Sequence, residues 1–182
     1  MQPNSVFECL LGVTEFEAEV VDAHSSSQTI PIERIGVFTD DLNRSRHDLA
    51  SNFEASSARM TAVTRGTDIF GGLWRLKALF ETKSETSSSV SKTIWIFSDM
   101  MNETQDFSMP SLIEKGPTRM LEQARAQGLL VPLKGYKIHI RGSSTNGLTP
   151  QIWVTLKQFW TVYFSAAGAE LLSYSAQCDS QR

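Results

Sequence analysis

The sequence predicts an α/β fold with a mainly parallel central sheet. Three observations lead there. From residue 34 onward, short β-branched and aromatic runs alternate with segments of helical period, the pattern of βαβ units with right-handed crossovers. The clearest runs stop at aspartate or glycine, as buried strands stopped by turn formers do. The chain has 182 residues, 41% of them hydrophobic, enough for one real core and near the usual size of one domain.

Four strands follow from the runs. Residues 34–39 (RIGVFT) end at Asp40-Asp41-Leu42-Asn43, and residues 92–98 (KTIWIFS) end at Asp99. Residues 136–141 (YKIHIR) run into Gly142-Ser143-Ser144, and 169–175 (AELLSYS) is the fourth. Helices separate them. One begins at Asp68 and puts Ile69, Leu73, Leu76 and Phe80 on one face. A second opens at Gly116-Pro117, turns Met120, Leu121 and Ala124 inward and closes at Gly128. A third opens at Thr149-Pro150 and carries Ile152, Leu156, Phe159, Trp160, Tyr163 and Ala167 before Gly168. Its aromatic stripe, with Trp153 and Phe164, reads as core at helical spacing beside a sheet. Residues 82–91 and 102–115 read as long loops. The Met100-Met101 pair just before the second, with Phe107 and Met109, offers an adaptable apolar contact surface.

Residues 1–33 stand apart as an acidic N-terminal segment. They hold Glu8, Glu15, Glu17, Glu19, Asp22 and Glu33 and no Lys or Arg. All 17 basic residues and the other 14 of the 20 acidic ones follow, so the net charge of −3 divides into −6 and +3. Such a segment contacts a partner, folds back on a basic surface or is a solvated edge. Residues 5–13 and 16–21 predict an edge hairpin, with Phe16, Ala18 and Val20 alternating against acidic residues. Residues 28–33 then lead into the first parallel strand. The domain proper is 34–176, and 177–182 is a tail.

Composition excludes several functions. A weakly acidic chain argues against a nucleic-acid surface, and no run of eighteen apolar residues exists to span a bilayer. The N-terminus lacks the basic start of a signal peptide, which leaves the compartment unassigned and cytoplasmic by default. Cys9 and Cys178 have neither zinc nor disulfide-framework spacing. His24, His47 and His139 are unpaired in sequence, and no nucleophile–base motif or P-loop occurs.

Ligands of an open parallel sheet bind beyond the carboxyl ends of its strands. Asp40-Asp41, Gly66-Thr67-Asp68, Ser98-Asp99 and the 142–146 loop with Ser143 and Asn146 fall there. Hydroxyls and carboxylates are hard oxygen donors suited to Mg²⁺. Helix caps and turns account better than a ligand role for Asp40, Asp41 and Asp68.

GTDIFGGL (66–73) followed by KTIWIFSDMMNET (92–104) resembles the second and third ion-site segments of a von Willebrand factor A domain. LKGYKIHIRGSST and WVTLKQFWTVYFSAAGAELLSYS are similar to a bacterial branch of A-type domains. The resemblance covers roughly 32–176 and implies a three-layer fold, helices on both faces of the sheet. It also implies that Thr67 and Asp99 are Mg²⁺ ligands and that the chain is a protein-binding module, not an enzyme. Asp68, Ser98, Met100, Met101, Ser143 and Asn146 would then line the partner edge. The Asp-x-Ser-x-Ser segment that completes the family's ion site is absent. Asp22-Ala23-His24-Ser25-Ser26 has the wrong offset, and Asp41-Leu42-Asn43-Arg44-Ser45 has Asn for Ser and lies too near Thr67. The first strand and helix of the family are missing or replaced. Two other readings compete: a metal-dependent phosphoesterase or nuclease using Asp40, Asp41 and Asp99, and a structural subunit with no ion site.

Overall fold

The computed structural model describes residues 17–20, 28–31, 44, 47, 48, 51, 55, 67–83, 92–142 and 149–175. The chain divides into two compact units, Met1–Arg65 with Cys178–Arg182, and Gly66–Gln177.

In the first unit, β1 (Glu17–Val20) pairs antiparallel with β2 (Gln28–Pro31), from Glu17 opposite Pro31 to Val20 opposite Gln28. The alternating strand predicted at 16–21 is present as β1, and the strand predicted at 5–13 lies outside the described residues. The 28–31 segment pairs with β1, and Pro31, which lacks an N–H, takes the end of the ladder. Arg44, His47, Asp48, Ser51 and Ala55 are helical and exposed, at the spacing of one helix face. The strand predicted at 34–39 lies outside the described residues.

The second unit is α/β. Its elements are α1 (Ile69–Lys83), β3 (Lys92–Phe97), α2 (Met109–Leu112), a 3₁₀ turn (Ile113–Lys115), α3 (Pro117–Ala126), β4 (Tyr136–Arg141), α4 (Pro150–Ala167) and β5 (Glu170–Ser175). β3, β4 and β5 lie side by side in that order, all parallel. Parallel neighbours in chain order with right-handed crossovers carry both connections on one face. The ring contacts agree: Trp153 of α4 meets Tyr174, and Phe80 of α1 meets Tyr136, on the side of Ile138 and Ile140. α1 reaches Lys83, one residue past the polar loop's predicted start, and half of the predicted 102–115 loop is helical.

The helix ends follow the expected chemistry. Pro117 and Pro150 sit in the first turn of α3 and α4, where their missing N–H is not needed. Thr149 accepts at Oγ1 from the Ile152 N–H, 3.3 Å away. Gly168 closes α4 in the left-handed region, φ 81°, where a Cβ would also meet the Lys134 Cα at 3.3 Å.

One apolar core fills the helix-side face of the sheet. Ile94, Ile138 and Ile140 supply the sheet side, Phe70 and Leu73 come from α1, Met120 and Ala124 from α3, and Leu156, Phe159, Trp160, Tyr163 and Phe164 from α4. Phe70 ties these elements together, 5.1 Å from Phe107, 5.4 Å from Trp160 and 5.3 Å from Tyr163 between ring centroids. Two aromatics also carry polar duty. Trp160 Nε1–H donates to the Met100 carbonyl at 2.9 Å. The Tyr163 hydroxyl donates to the Leu129 carbonyl at 2.8 Å and accepts from the Val131 N–H at 3.1 Å. Burial pushes that phenol well above its ordinary value. Among the described residues no helix is long and apolar enough to cross a membrane.

Truncating Trp160 to Ala is expected to cost about 3–5 kcal/mol of unfolding free energy in denaturant titration. Trp160→Phe is expected to cost about 1–3 kcal/mol, because the packing survives but the Met100 carbonyl loses its donor in the core.

Candidate functional site

At the carboxyl end of β3, the start of α1 and the loop after the strand are fastened together. Asp68 caps α1, its Oδ1 accepting from the Gly71 N–H at 2.8 Å. Gly71 is required by that cap, since a Cβ there would sit 2.1 Å from Asp68 Oδ2. A second acceptor comes from across the loop: Asn102 Oδ1 takes the Ile69 N–H at 2.8 Å. The Glu103 N–H donates to the Thr67 carbonyl, also at 2.8 Å. One orphan donor and a free carbonyl at the helix start are thus satisfied by tertiary contacts, and a second donor by the local Asp68 cap.

Asn102 is fully buried and uses every polar group it has. Besides the Ile69 bond, its Nδ2 donates to the Phe107 carbonyl at 2.9 Å and its own carbonyl accepts from the Met109 N–H at 3.0 Å. Its N–H points to Met109 Sδ at 3.3 Å.

Between Phe97 and Asn102 the chain makes a tight reversal. Ser98 N–H continues the ladder to the Arg141 carbonyl at 3.0 Å. Ser98 Oγ then accepts from Met100 N–H, and Asp99 Oδ1 from Met101 N–H, each at 3.0 Å. These side-chain bonds hold Met100 at φ 65°, a left-handed conformation costly for a residue with a Cβ. Met100 is buried completely, which compensates the strain with apolar contact.

Thr67, Asp68, Ser98, Asp99 and Met101 therefore lie on two segments bonded to each other. Thr67 and Asp99 are exposed, and Asp68, Ser98 and Met101 half-buried. Met100 belongs to the core and presents no side chain to the surface. Ser143, Asn146, Asp40 and Asp41 lie outside the described residues, as do Cys9, Cys178 and His24. Among the described residues, no group of three or more His, Cys, Asp or Glu side chains is placed to hold a metal ion. Beneath Asp99 the Tyr174 hydroxyl is buried without a partner. Burial first, and the Asp99 charge second, raise its pKa.

A second polar assembly, outside the expectations drawn from the sequence, lies on the sheet face turned away from the core. Trp95 and His139, opposite each other on β3 and β4, stack at 4.2 Å with rings 10° apart. The Arg141 guanidinium lies 5.5 Å from the Trp95 ring centroid. Its Nη1 donates to Ser173 Oγ at 2.6 Å and to the Ile140 carbonyl at 3.2 Å, and Ser173 Oγ lies 2.8 Å from His139 Nδ1. Desolvation, then the charges of Arg141 and Lys137, hold the imidazole below its ordinary pKa. Ser173 Oγ thus accepts from the guanidinium and meets the imidazole at once, the direction of the second bond following the tautomer of His139. The one trace in the sequence was the alternation of Lys137, His139 and Arg141 along YKIHIR.

No family model, no curated protein and no solved structure matches this chain.

Asn102→Ala is expected to destabilise the unit by about 1–3 kcal/mol, since it strands the Ile69 N–H in the core, whereas the Phe107 carbonyl keeps the Thr104 N–H and hydroxyl. His139 makes stability depend on pH in a defined sense. Its folded pKa is below the unfolded value, so its contribution is complete above about pH 6.5 and is lost as pH falls through the lowered folded value. Thermal midpoints from about pH 8 to about pH 5 should show that loss in the wild type, and His139→Gln should remove it.

Proposed function

We propose that the chain is a protein-binding module of von Willebrand factor A type whose Gly66–Gln177 unit, with its helices on one face of the sheet, carries the partner edge at the carboxyl end of β3. One observation carries the reading: exposed Thr67 and exposed Asp99 stand on segments locked together by the Glu103–Thr67 and Ile69–Asn102 bonds. A rigid edge presenting a hydroxyl and a carboxylate is preorganised for a ligand, and the strained Met100 between them is of the kind that persists where function requires it.

In this reading Thr67 and Asp99 are the residues that would hold Mg²⁺. They offer one hydroxyl and one carboxylate, whose Oδ1 already accepts from Met101 N–H. Mg²⁺ keeps several waters and needs only one or two carboxylates, so the pair fits a weak site that an acidic side chain of the partner strengthens. The ion would supply a charge bridge between two carboxylates. Asp68 has a separate task, holding the start of α1.

Asp99→Ala and Thr67→Ala are expected to change unfolding free energy by about 1 kcal/mol or less, as exposed residues do. A core-sized loss would make this edge structural and sink the binding reading. Titrating Mg²⁺ or Mn²⁺ into metal-free protein should raise the thermal midpoint, and Asp99→Ala should abolish the rise. A flat titration of a folded wild type would remove the ion from the reading.

A further inference from the structure

The polar face of the sheet holds donors without acceptors. Arg141 is only 8% exposed, yet among the described residues no carboxylate pairs with it. Its Nη1 is used by Ser173 and Ile140, and its Nε is buried with no partner. The indole Nε1–H of Trp95, whose ring the guanidinium faces, is likewise buried and unpartnered. Nε of arginine and Nε1 of tryptophan can only donate, so no rearrangement of protons satisfies them. A buried guanidinium without a counter-charge is unfavourable unless something supplies one.

The backbone is shaped to hold this arrangement. β5 carries a one-residue bulge: Ile138 pairs with Leu171, but His139 pairs with Ser173. Without it Ser173 would share the side of Leu171, toward the helices. The extra residue, Leu172, turns Ser173 to the side of His139 and Arg141, and the cost is visible in Leu172 itself, 46% exposed. Ser173 then anchors Nη1, which leaves the Nε edge of the guanidinium, the edge that grips planar oxyanions with two parallel bonds. Cross-strand neighbours add no competing acid: Lys137 faces Glu170, whereas Arg141 faces Phe97 and Ser175. Arg141 is also the last residue of β4, at the carboxyl end of the sheet, where open parallel sheets receive ligands.

We propose that Arg141, oriented by Ser173 and flanked by Trp95, is the receptor for a small oxyanion, a carboxylate or phosphate group. This site uses none of the side chains of the Asp99 edge and needs no metal.

The test uses the full chain in the presence of EDTA, with ionic strength held constant by chloride. Inorganic phosphate is one probe, and acetate and N-acetyl-aspartate amide are the carboxylate probes. The expected result is a saturable rise of the thermal midpoint together with a change in tryptophan fluorescence that Trp95→Phe eliminates. Arg141→Lys keeps the charge but not the fork, and should lose the response. Ser173→Ala should weaken it severalfold by releasing Nη1. Should Arg141→Lys fail to fold, Ser173→Ala and Trp95→Phe carry the test alone. Response to phosphate only assigns a phosphate-bearing ligand, and response to the carboxylates only assigns an acidic side chain. No response beyond chloride in the wild type, or an undiminished response in the variants, overturns the proposal. Asp99→Ala should respond like the wild type, so failure here leaves the Asp99 edge unaffected, and the reverse holds.

Discussion

The Asn102 side chain is the constraint on which the candidate edge depends. One buried amide caps α1 from a distance and closes the loop that follows β3. Its removal would leave the Ile69 N–H unsatisfied in the core and take the Phe107 carbonyl's long-range donor from the loop, which Thr104 alone would then hold. The same amide therefore fixes two things that sequence separates by about thirty residues, the position of Thr67 and the path of Asp99. A site assembled in this way is rigid before any ligand arrives, which lowers the ordering cost of binding.

Behind that loop stands α4. Its aromatic face supplies apolar area to the core, but Trp160 and Tyr163 also end in donors that reach backbone carbonyls of two different loops. Trp160 grips Met100, the residue in the left-handed conformation, so the strain of the reversal is held by packing and one hydrogen bond from a neighbouring helix. Core and edge are in this sense one structure, and a substitution deep in α4 acts on the loop that carries Asp99.

The two faces of the sheet divide the work. The helix-side face is aliphatic and aromatic and serves stability. The other face, with Trp95, His139, Arg141 and Ser173, concentrates polar groups that stability alone does not require. A bulge in β5 sets the difference, because a shift of one residue in a strand exchanges the faces of everything beyond it.

The sequence by itself determined the second unit's elements. β3, β4, β5, α1, α3 and α4 were legible because each declares itself within its own span, through a period of two or 3.6 residues and through Pro, Thr, Asp or Gly at its ends. The capping of α1 by Asp68 and the burial of the α4 stripe were legible for the same reason. The tertiary structure alone decided the rest, and each case involves distant partners. That Asn102 serves Ile69, that Met100 is core and not surface, that β1 pairs with β2, and that Ser173 faces Arg141 are all contacts across the chain. No local pattern records them, because a hydrogen bond between distant residues leaves no periodicity, and a bulge silently reverses the alternation from which faces are read.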